Sequence, residues 1–312
     1  MALGGSSRAS AAEPVATFSI VGYDPETGDL GVAVQSKFFA VGSVVPYAQA
    51  GVGAIASQAY GNTTFGPLGL AMLVEGLDVR SIVDSLLAHD PNAAQRQIGI
   101  VDALGNSFAY TGDECMEWAG SVSGANFTAQ GNILVSEATV QAMAKAFLET
   151  EAMLGERLMR AIEAGQAAGG DSRGMQSAAI LVVRESGGYG GYNDRYCDLR
   201  VDDSEDPIAE LRRIFDMWKG QALILEGYRY AEAGDWERAF AYGREAVAMN
   251  PDEGEPHYHL ACYYSKADKR EEALAELQVA VRLDESLAAR ARLDSDFKPL
   301  YEDPEFIRIT GE

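Results

Sequence analysis

The run SAAILVV, residues 177–183, passes from small to branched apolar side chains with no polar interruption after its first position. A strand of that composition has to be covered on both faces. Its company limits how. TFSIVGY (17–23) and LGVAVQS (30–36) are joined by DPETGD, whose Pro, Asp and Gly build a tight turn. RQIGIVDALGNSFAYTG (96–112) repeats the hairpin pattern around Gly105 and Asn106. Hairpin links make antiparallel neighbours, so the cover cannot come from the alternating crossover helices of a parallel sheet. Two antiparallel sheets packed face to face, each with helices on its outer side, satisfy both demands. The expected class is therefore α+β, with a four-layer αββα sandwich.

The remaining segments fit that frame. The stretch VGSVVPYAQAGVGAIASQA (41–59) holds one or two more strands, and YCDLRVD (196–202) holds another. Helical periodicity marks GPLGLAMLVEG and then VRSIVDSLLAHD, whose Ile82, Leu86 and Leu87 share a face. A second helical pair occupies about 134–166, with Val140, Met143, Ala144 and Phe147 on one stripe and Leu154, Leu158 and Ile162 on the next. From 222 onward the character changes. Residues 222–254 and 256–288 repeat at a fixed spacing, aligning Gly227 with Ala261, Tyr230 with Tyr264, Ala239 with Ala273 and Ala246 with Ala280. This resembles the tetratricopeptide repeat, in which small residues let paired helices pack closely. The expected organisation is an N-terminal extension (1–16), a main domain (17–204), a linking helix (205–221) and a small all-α tetratricopeptide-like region (222–312).

Charge and cysteines bound the function. Acidic residues number 47 against 25 basic ones, a net charge of -22. Nucleic acid and anionic membrane surfaces both demand a basic face and are excluded as main partners. The three cysteines, Cys115, Cys197 and Cys262, are far apart, form no CxxC pair and fit a reducing, cytoplasmic setting. The opening MALGGSSRASAAEPVA lacks the apolar centre of a secretory signal. His257 and His259 stand two apart in a repeat helix and His89 ends another, so neither a histidine triad nor a metal centre is expected. No organic cofactor is expected either.

Two loops concentrate polar chemistry. GGDSRGMQ (169–176) sets Gly169, Gly170 and Gly174 beside Asp171, Arg173 and Gln176, with Ser177 opening the strand that follows. Glycines permit close approach of a ligand, Arg173 can hold a carboxylate by two parallel hydrogen bonds, and Gln176 and Ser177 can bind or polarise a carbonyl. The same residues also suit a helix stop followed by a polar turn with an ordinary Asp171–Arg173 ion pair. SQAYGNTTFGPLG (57–69) offers Gln58, Asn62 and Thr63 ahead of a helix, either as donors facing an oxyanion or as a helix cap. In a hairpin turned at PETG, Thr17 and Ser36 reach the same sheet end.

The motifs TFSIVGYDPETGDLGVAVQSKFFAVGSVVPYAQAGVGAIASQA, GNTTFGPLGLAML and GGDSRGMQSAAILVV, in that order, resemble the bacterial family DUF1028, over about residues 17–218. That family is grouped by similarity with the N-terminal-nucleophile (Ntn) hydrolases, whose fold is a four-layer αββα sandwich. The resemblance implies that Thr17, at the head of the first strand, is a nucleophile whose own α-amine accepts the proton. Sixteen residues precede Thr17 here, and Ala16 holds its nitrogen in a peptide bond. Thr17 is equally suited to strand structure as a β-branched residue. The expectation is hydrolysis of a small amide or related C–N bond, with Thr17 as nucleophile, Asn62 and Gln176 as carbonyl-polarising donors, and Ser36, Asp171, Arg173 and Ser177 binding substrate. The alternative is a non-catalytic module that keeps the fold and binds a small ligand or a protein. The helical region is expected to meet a protein partner or a second copy.

Overall fold

The computed structural model describes residues 17–311. The chain divides into two compact units, one ending at Ile214 and the other beginning at Phe215.

In the first unit, β1 (Thr17–Tyr23) and β2 (Leu30–Ser36) form the expected hairpin, followed by β3 (Pro46–Gln49) and β4 (Gly53–Ala59). Two helices come next, α1 (Phe65–Val74) and α2 (Val79–Ala88), the latter capped by the Asp78 carboxylate on the Arg80 and Ser81 N–H groups. Then follow β5 (Arg96–Asp102), β6 (Ser107–Thr111), β7 (Gly120–Gly124) and β8 (Phe127–Asn132). The unit is completed by α3 (Ala138–Glu149), α4 (Leu154–Ala167), β9 (Ser177–Val183) and β10 (Arg195–Val201). The strands make two antiparallel sheets, β10-β9-β2-β1-β8-β7 and β3-β4-β5-β6. The hairpin β7–β8 is an addition to the sequence reading, and β8 lies directly beside β1.

Alternation along the strands separates two kinds of contact. Val21, Val32, Val34, Ala179 and Leu181 of the larger sheet form one apolar cluster with Ala54, Ala56 and Val101 of the smaller. On its other face the smaller sheet presents Ile55, Ile98 and Ile100 to Phe65, Leu70, Ile82, Val83 and Leu86 of α1 and α2. The larger sheet turns Phe18 toward α4, where an added Cβ on Gly165 would lie 3.2 Å from the Phe18 ring. Arg212, early in the next helix, binds Glu163 (2.7 Å) and the buried Glu156 (3.0 Å) of α4, and these carboxylates raise its pKa despite its burial.

The second unit is helical. The long α5 (Pro207–Glu232) contains the residue at which the units divide, and it extends past the end of the expected linking helix (205–221). It is followed by α6 (Trp236–Met249), α7 (Gly254–Lys266), α8 (Arg270–Leu283), α9 (Ser286–Ala291) and α10 (Pro304–Thr310). The repeated small residues Ala239, Ala246, Ala261, Ala273 and Ala280 are all buried, and Gly227 lies against the Tyr263 ring. Their spacing sets the helix packing. Among the described residues no helix is long and apolar enough to cross a membrane.

Candidate functional site

Antiparallel pairing sets Thr17 opposite Ser36 on one side and Asn132 on the other, and pairs Ser36 with Ser177. Paired residues share a face, so Ser177, Ser36, Thr17 and Asn132 form one row across four strands at one end of the larger sheet. All four are buried. The Thr17 hydroxyl donates to Ser36 Oγ at 3.1 Å.

Behind this row the space between the sheets is polar. Ser19, two residues on and on the same face, donates to Gln58 Oε1 at 2.6 Å and accepts from Gln130 Nε2 at 2.6 Å. Gln58 Nε2 donates to Gln97 Oε1 at 2.8 Å and to the Thr17 carbonyl at 3.3 Å. Asn132 Nδ2 donates to the same Gln97 oxygen at 3.0 Å, while Gln97 Nε2 reaches the Gly131 carbonyl at 2.7 Å and Thr111 Oγ1 at 2.9 Å. Gly99 makes room for this network, since a Cβ there would lie 2.3 Å from Gln130 Oε1. Buried amides cost little only when their partners are complete, and here they hold one another.

The loop 169–176 lies across the same sheet end. Its Ser172 N–H donates to the Ile133 carbonyl (2.9 Å), just beyond β8, and the Val135 N–H donates to the Gly170 carbonyl (3.1 Å). On the other side the Lys37 N–H, just beyond β2, donates to Asp171 Oδ2 at 3.0 Å. Because β1 runs between β8 and β2, the loop passes over its start. Gly170 and Gly174 make these turns at φ +62° and +104°. The Asp171 carboxylate is fully buried and accepts from Arg173 N (2.9 Å), Nε (3.2 Å) and Nη2 (2.9 Å), while the guanidinium stays one-third exposed at 34%. Lys37 Nζ closes the loop on the Met175 carbonyl at 3.0 Å.

Thr17, Ser36, Asp171 and Arg173 thus gather at one sheet end. Ser177 belongs to the row, but its hydroxyl donates to the Phe38 carbonyl (2.5 Å) and accepts from the Val41 N–H (3.0 Å), which pins the turn after β2. Gln176 meets the site through its backbone, whose N–H donates to the Ser36 carbonyl (3.0 Å), and gives its side-chain amide to Asp203 (3.0 Å). Asn62 does not join them. Its Oδ1 accepts from Thr64 N and Oγ1 at the start of α1, and its Nδ2 donates to Asp90 (3.1 Å). The Arg96 guanidinium, hydrogen-bonded to Asp90 through Nε (2.9 Å) and Nη2 (3.1 Å), holds that carboxyl down at about 2. Cys115 is half-buried and desolvation raises its thiol pKa, the reverse of what an activated nucleophile needs. Among the described residues no group of three or more His, Cys, Asp or Glu side chains is arranged to hold a metal.

Asn132, Gln97 and Gln130 escape a reading of the sequence. Each sits in a strand at a position where alternation calls for an apolar side chain, and inward-facing glutamine in TAQG and RQIG is the signal the sequence carries.

Residues 17–211 match the model of a family described as "Family of unknown function (DUF1028)". Among solved structures the chain is similar to protein SPO2555 from Silicibacter pomeroyi, of the same family, at 32% identity and a TM-score of 0.59; the similarity covers 65% of this chain and 88% of that one. No curated protein matches. The matched span opens on Thr17 and takes in both sheets and the 169–176 loop, and the chain belongs to the DUF1028 family.

Proposed function

We propose that the first unit is an Ntn-type hydrolase with a four-layer αββα arrangement, cleaving a small amide or related C–N bond. One observation carries the reading: the Thr17 hydroxyl heads β1 in a buried row with Ser36 and Asn132, beneath a loop that carries an oriented arginine. A hydroxyl needs an adjacent base, and an α-amine titrating near about 8 serves at neutral pH. The Ala16–Thr17 peptide bond must therefore be cut before the site can act. Thr17 Oγ1 then attacks the substrate carbonyl carbon while its proton passes to the Thr17 amine. The protonated amine delivers it to the leaving nitrogen, and water hydrolyses the resulting ester.

Arg173, oriented by Asp171, holds a substrate carboxylate at the rim. The carbonyl-polarising role passes from Asn62 and Gln176, whose amides serve Asp90 and Asp203, to Asn132, which uses one of its two N–H bonds on Gln97. Ser36 accepts the Thr17 hydroxyl hydrogen and fixes the rotamer from which attack starts. The helical second unit is a tetratricopeptide-like platform for a protein partner or a second copy. Three unpaired cysteines fit a cytoplasmic setting.

A second reading, a binding module without turnover, is favoured by the peptide bond that occupies the Thr17 nitrogen. Intact mass of native protein combined with turnover of a panel of small amides and acyl-amino acids separates the two. The enzyme reading requires a mature chain beginning at Thr17, activity retained in Thr17→Ser and lost in Thr17→Ala. Turnover by protein that still carries residues 1–16 removes Thr17 as the nucleophile. Saturable binding without turnover establishes the module.

A further inference from the structure

The outer face of α1 lies outside the site described above and has a chemistry of its own. The helix reads FGPLGLAMLV, ten residues without one polar side chain, a composition that normally belongs to a helix covered all round. Its inner face is covered. Phe65 and Leu70 are buried, Gly66 lies so near Tyr47 of β3 that a Cβ would fall 2.1 Å from the ring, and Gly69 does the same with Ile55 at 2.6 Å. Among the described residues nothing covers its outer face. Leu68 is 49% exposed and Val74 62%, with Pro67 and Ala71 between them and Leu77 continuing the patch. Spacings of three and four put these residues on one stripe. Beside the stripe, between α1 and α2, runs a groove of about 420 Å³ lined by Phe65, Met72 and Leu86 and also by His89 and Asp90, the latter paired with Arg96.

Charge identifies the occupant. The protein carries -22, yet residues 38–74 contain no Asp, Glu, Lys, Arg or His, the longest such run in the chain. That run builds β3, the last strand of its sheet, β4 and all of α1. Two copies repel across most orientations, and least where both present this neutral surface. A basic partner is drawn to the acidic remainder instead. We propose that the α1 face and the adjoining β3 edge form a two-fold interface with a second copy of this chain. In an antiparallel crossing, Leu68 of each copy enters the other's groove. Glu75, at the C-terminal end of α1, then meets the partially positive N-terminus of the facing helix. A stable homodimer buries about 800 Å² per partner, more than a ten-residue helix offers, so the β3 edge has to take part.

Sedimentation equilibrium of the full chain tests this. The expected result is a dimer whose affinity rises several-fold between about 0.05 and 0.5 M NaCl, because salt screens the repulsion between two chains of -22 each more than it weakens the single Glu75–helix attraction in each half of an otherwise apolar contact. Leu68→Glu and, separately, Val74→Glu weaken self-association at least about tenfold with unchanged circular dichroism and, at concentrations where both proteins are monomeric, an unchanged thermal midpoint, since both side chains already face solvent in the monomer. Leu293→Glu, at an 87% exposed position of the helical unit, leaves the dimer intact. A monomer at every concentration overturns the proposal, as does a dimer indifferent to Leu68→Glu or one that tightens as salt is lowered. Dissociation by Leu293→Glu alone moves the interface to the helical unit and likewise overturns it.

Discussion

Replacing Gln58 by Met tests whether the amide network is as dry and as complete as its geometry. Gln58 is fully buried, and Met has its length and nearly its volume, so the cavity contribution is small. The two short hydrogen bonds lost, from Ser19 at 2.6 Å and to Gln97 at 2.8 Å, are worth about 1 kcal/mol each net. The Gln97 oxygen keeps Asn132 as a partner, but the Ser19 hydroxyl hydrogen loses its acceptor, which adds about 1–2 kcal/mol. The expected loss is thus about 3–4 kcal/mol. The assay is urea unfolding of the first unit followed through Trp118, in a background where Trp218 and Trp236, which belong to the second unit, are phenylalanine. A double-mutant cycle isolates the bond. Ser19→Ala costs about 1–2 kcal/mol less in the Gln58→Met background than in the unmodified protein, because its partner is already gone. A loss below about 0.5 kcal/mol, or a coupling of zero, refutes the reasoning, and with it the rigid frame around Thr17.

Other perturbations probe other parts. Asp90 has a folded-state pKa of about 2, below the ordinary carboxylate value, so the stability it contributes is full above about pH 4 and is lost as pH falls toward 2. Asp90→Asn is accordingly less stable than the unmodified protein near neutrality, and the gap closes in denaturation curves taken at successively lower pH. Ser177→Ala removes both hydrogen bonds that pin the Phe38–Val41 turn and costs about 1–3 kcal/mol, with faster amide exchange expected at Val41. Gly66→Ala drives a methyl into the Tyr47 ring and lowers stability by about 1–3 kcal/mol or more, read as a fall in thermal midpoint. On the hydrolase reading proposed above, Arg173→Ala, at a partly exposed position, leaves the fold in place by circular dichroism but raises the substrate concentration needed for half-maximal turnover at least about tenfold.

The elements legible in the sequence are those in which packing and pattern agree. β1, β2, β5, β6 and β9 carry apolar or alternating runs bounded by turn residues, and α3 and α4 carry clean stripes. The hairpin β7–β8 has no such signature. The inward residues of β8 are Thr128, Gln130 and Asn132, all buried and polar, and only Phe127 on its other face is a large apolar residue, so the segment resembles a loop. The omission propagates, because Asn132 stands beside Thr17 only once β8 is known to pair with β1. Likewise the pairing of Thr17 with Ser36 follows from the hairpin register, whereas the fates of Asn62 and Gln176 do not. An amide in a loop takes whichever partner the folded chain brings near, and Asp90 and Asp203 come from distant positions. The extension of α5 beyond residue 221 is legible, since no proline interrupts residues 208–232.

The polar interior also bears on why Thr17 stands where it does. A slip of one residue in the pairing of β1 would send Phe18 and Ile20 between the sheets and turn Thr17 and Ser19 toward α4. With a purely apolar interior that slip would exchange one greasy face for another at modest cost. Here it would strip Gln58 and Gln130 of Ser19, leaving buried amides unpaired at about 1–3 kcal/mol each, and would drive the Phe18 ring into the space those amides fill. The network therefore penalises the wrong register far more than it rewards the right one. Register decides which residue of β1 opposes Ser36 and lies beneath the Asp171–Arg173 loop. A buried amide row with complete partners is thus a positioning device for the Thr17 hydroxyl. Ser19→Val, which keeps the strand and removes the hydroxyl, is the sharpest probe of it: amide exchange along β1 accelerates relative to β9 if the register is held by hydrogen bonding, and stays level if apolar packing alone holds it.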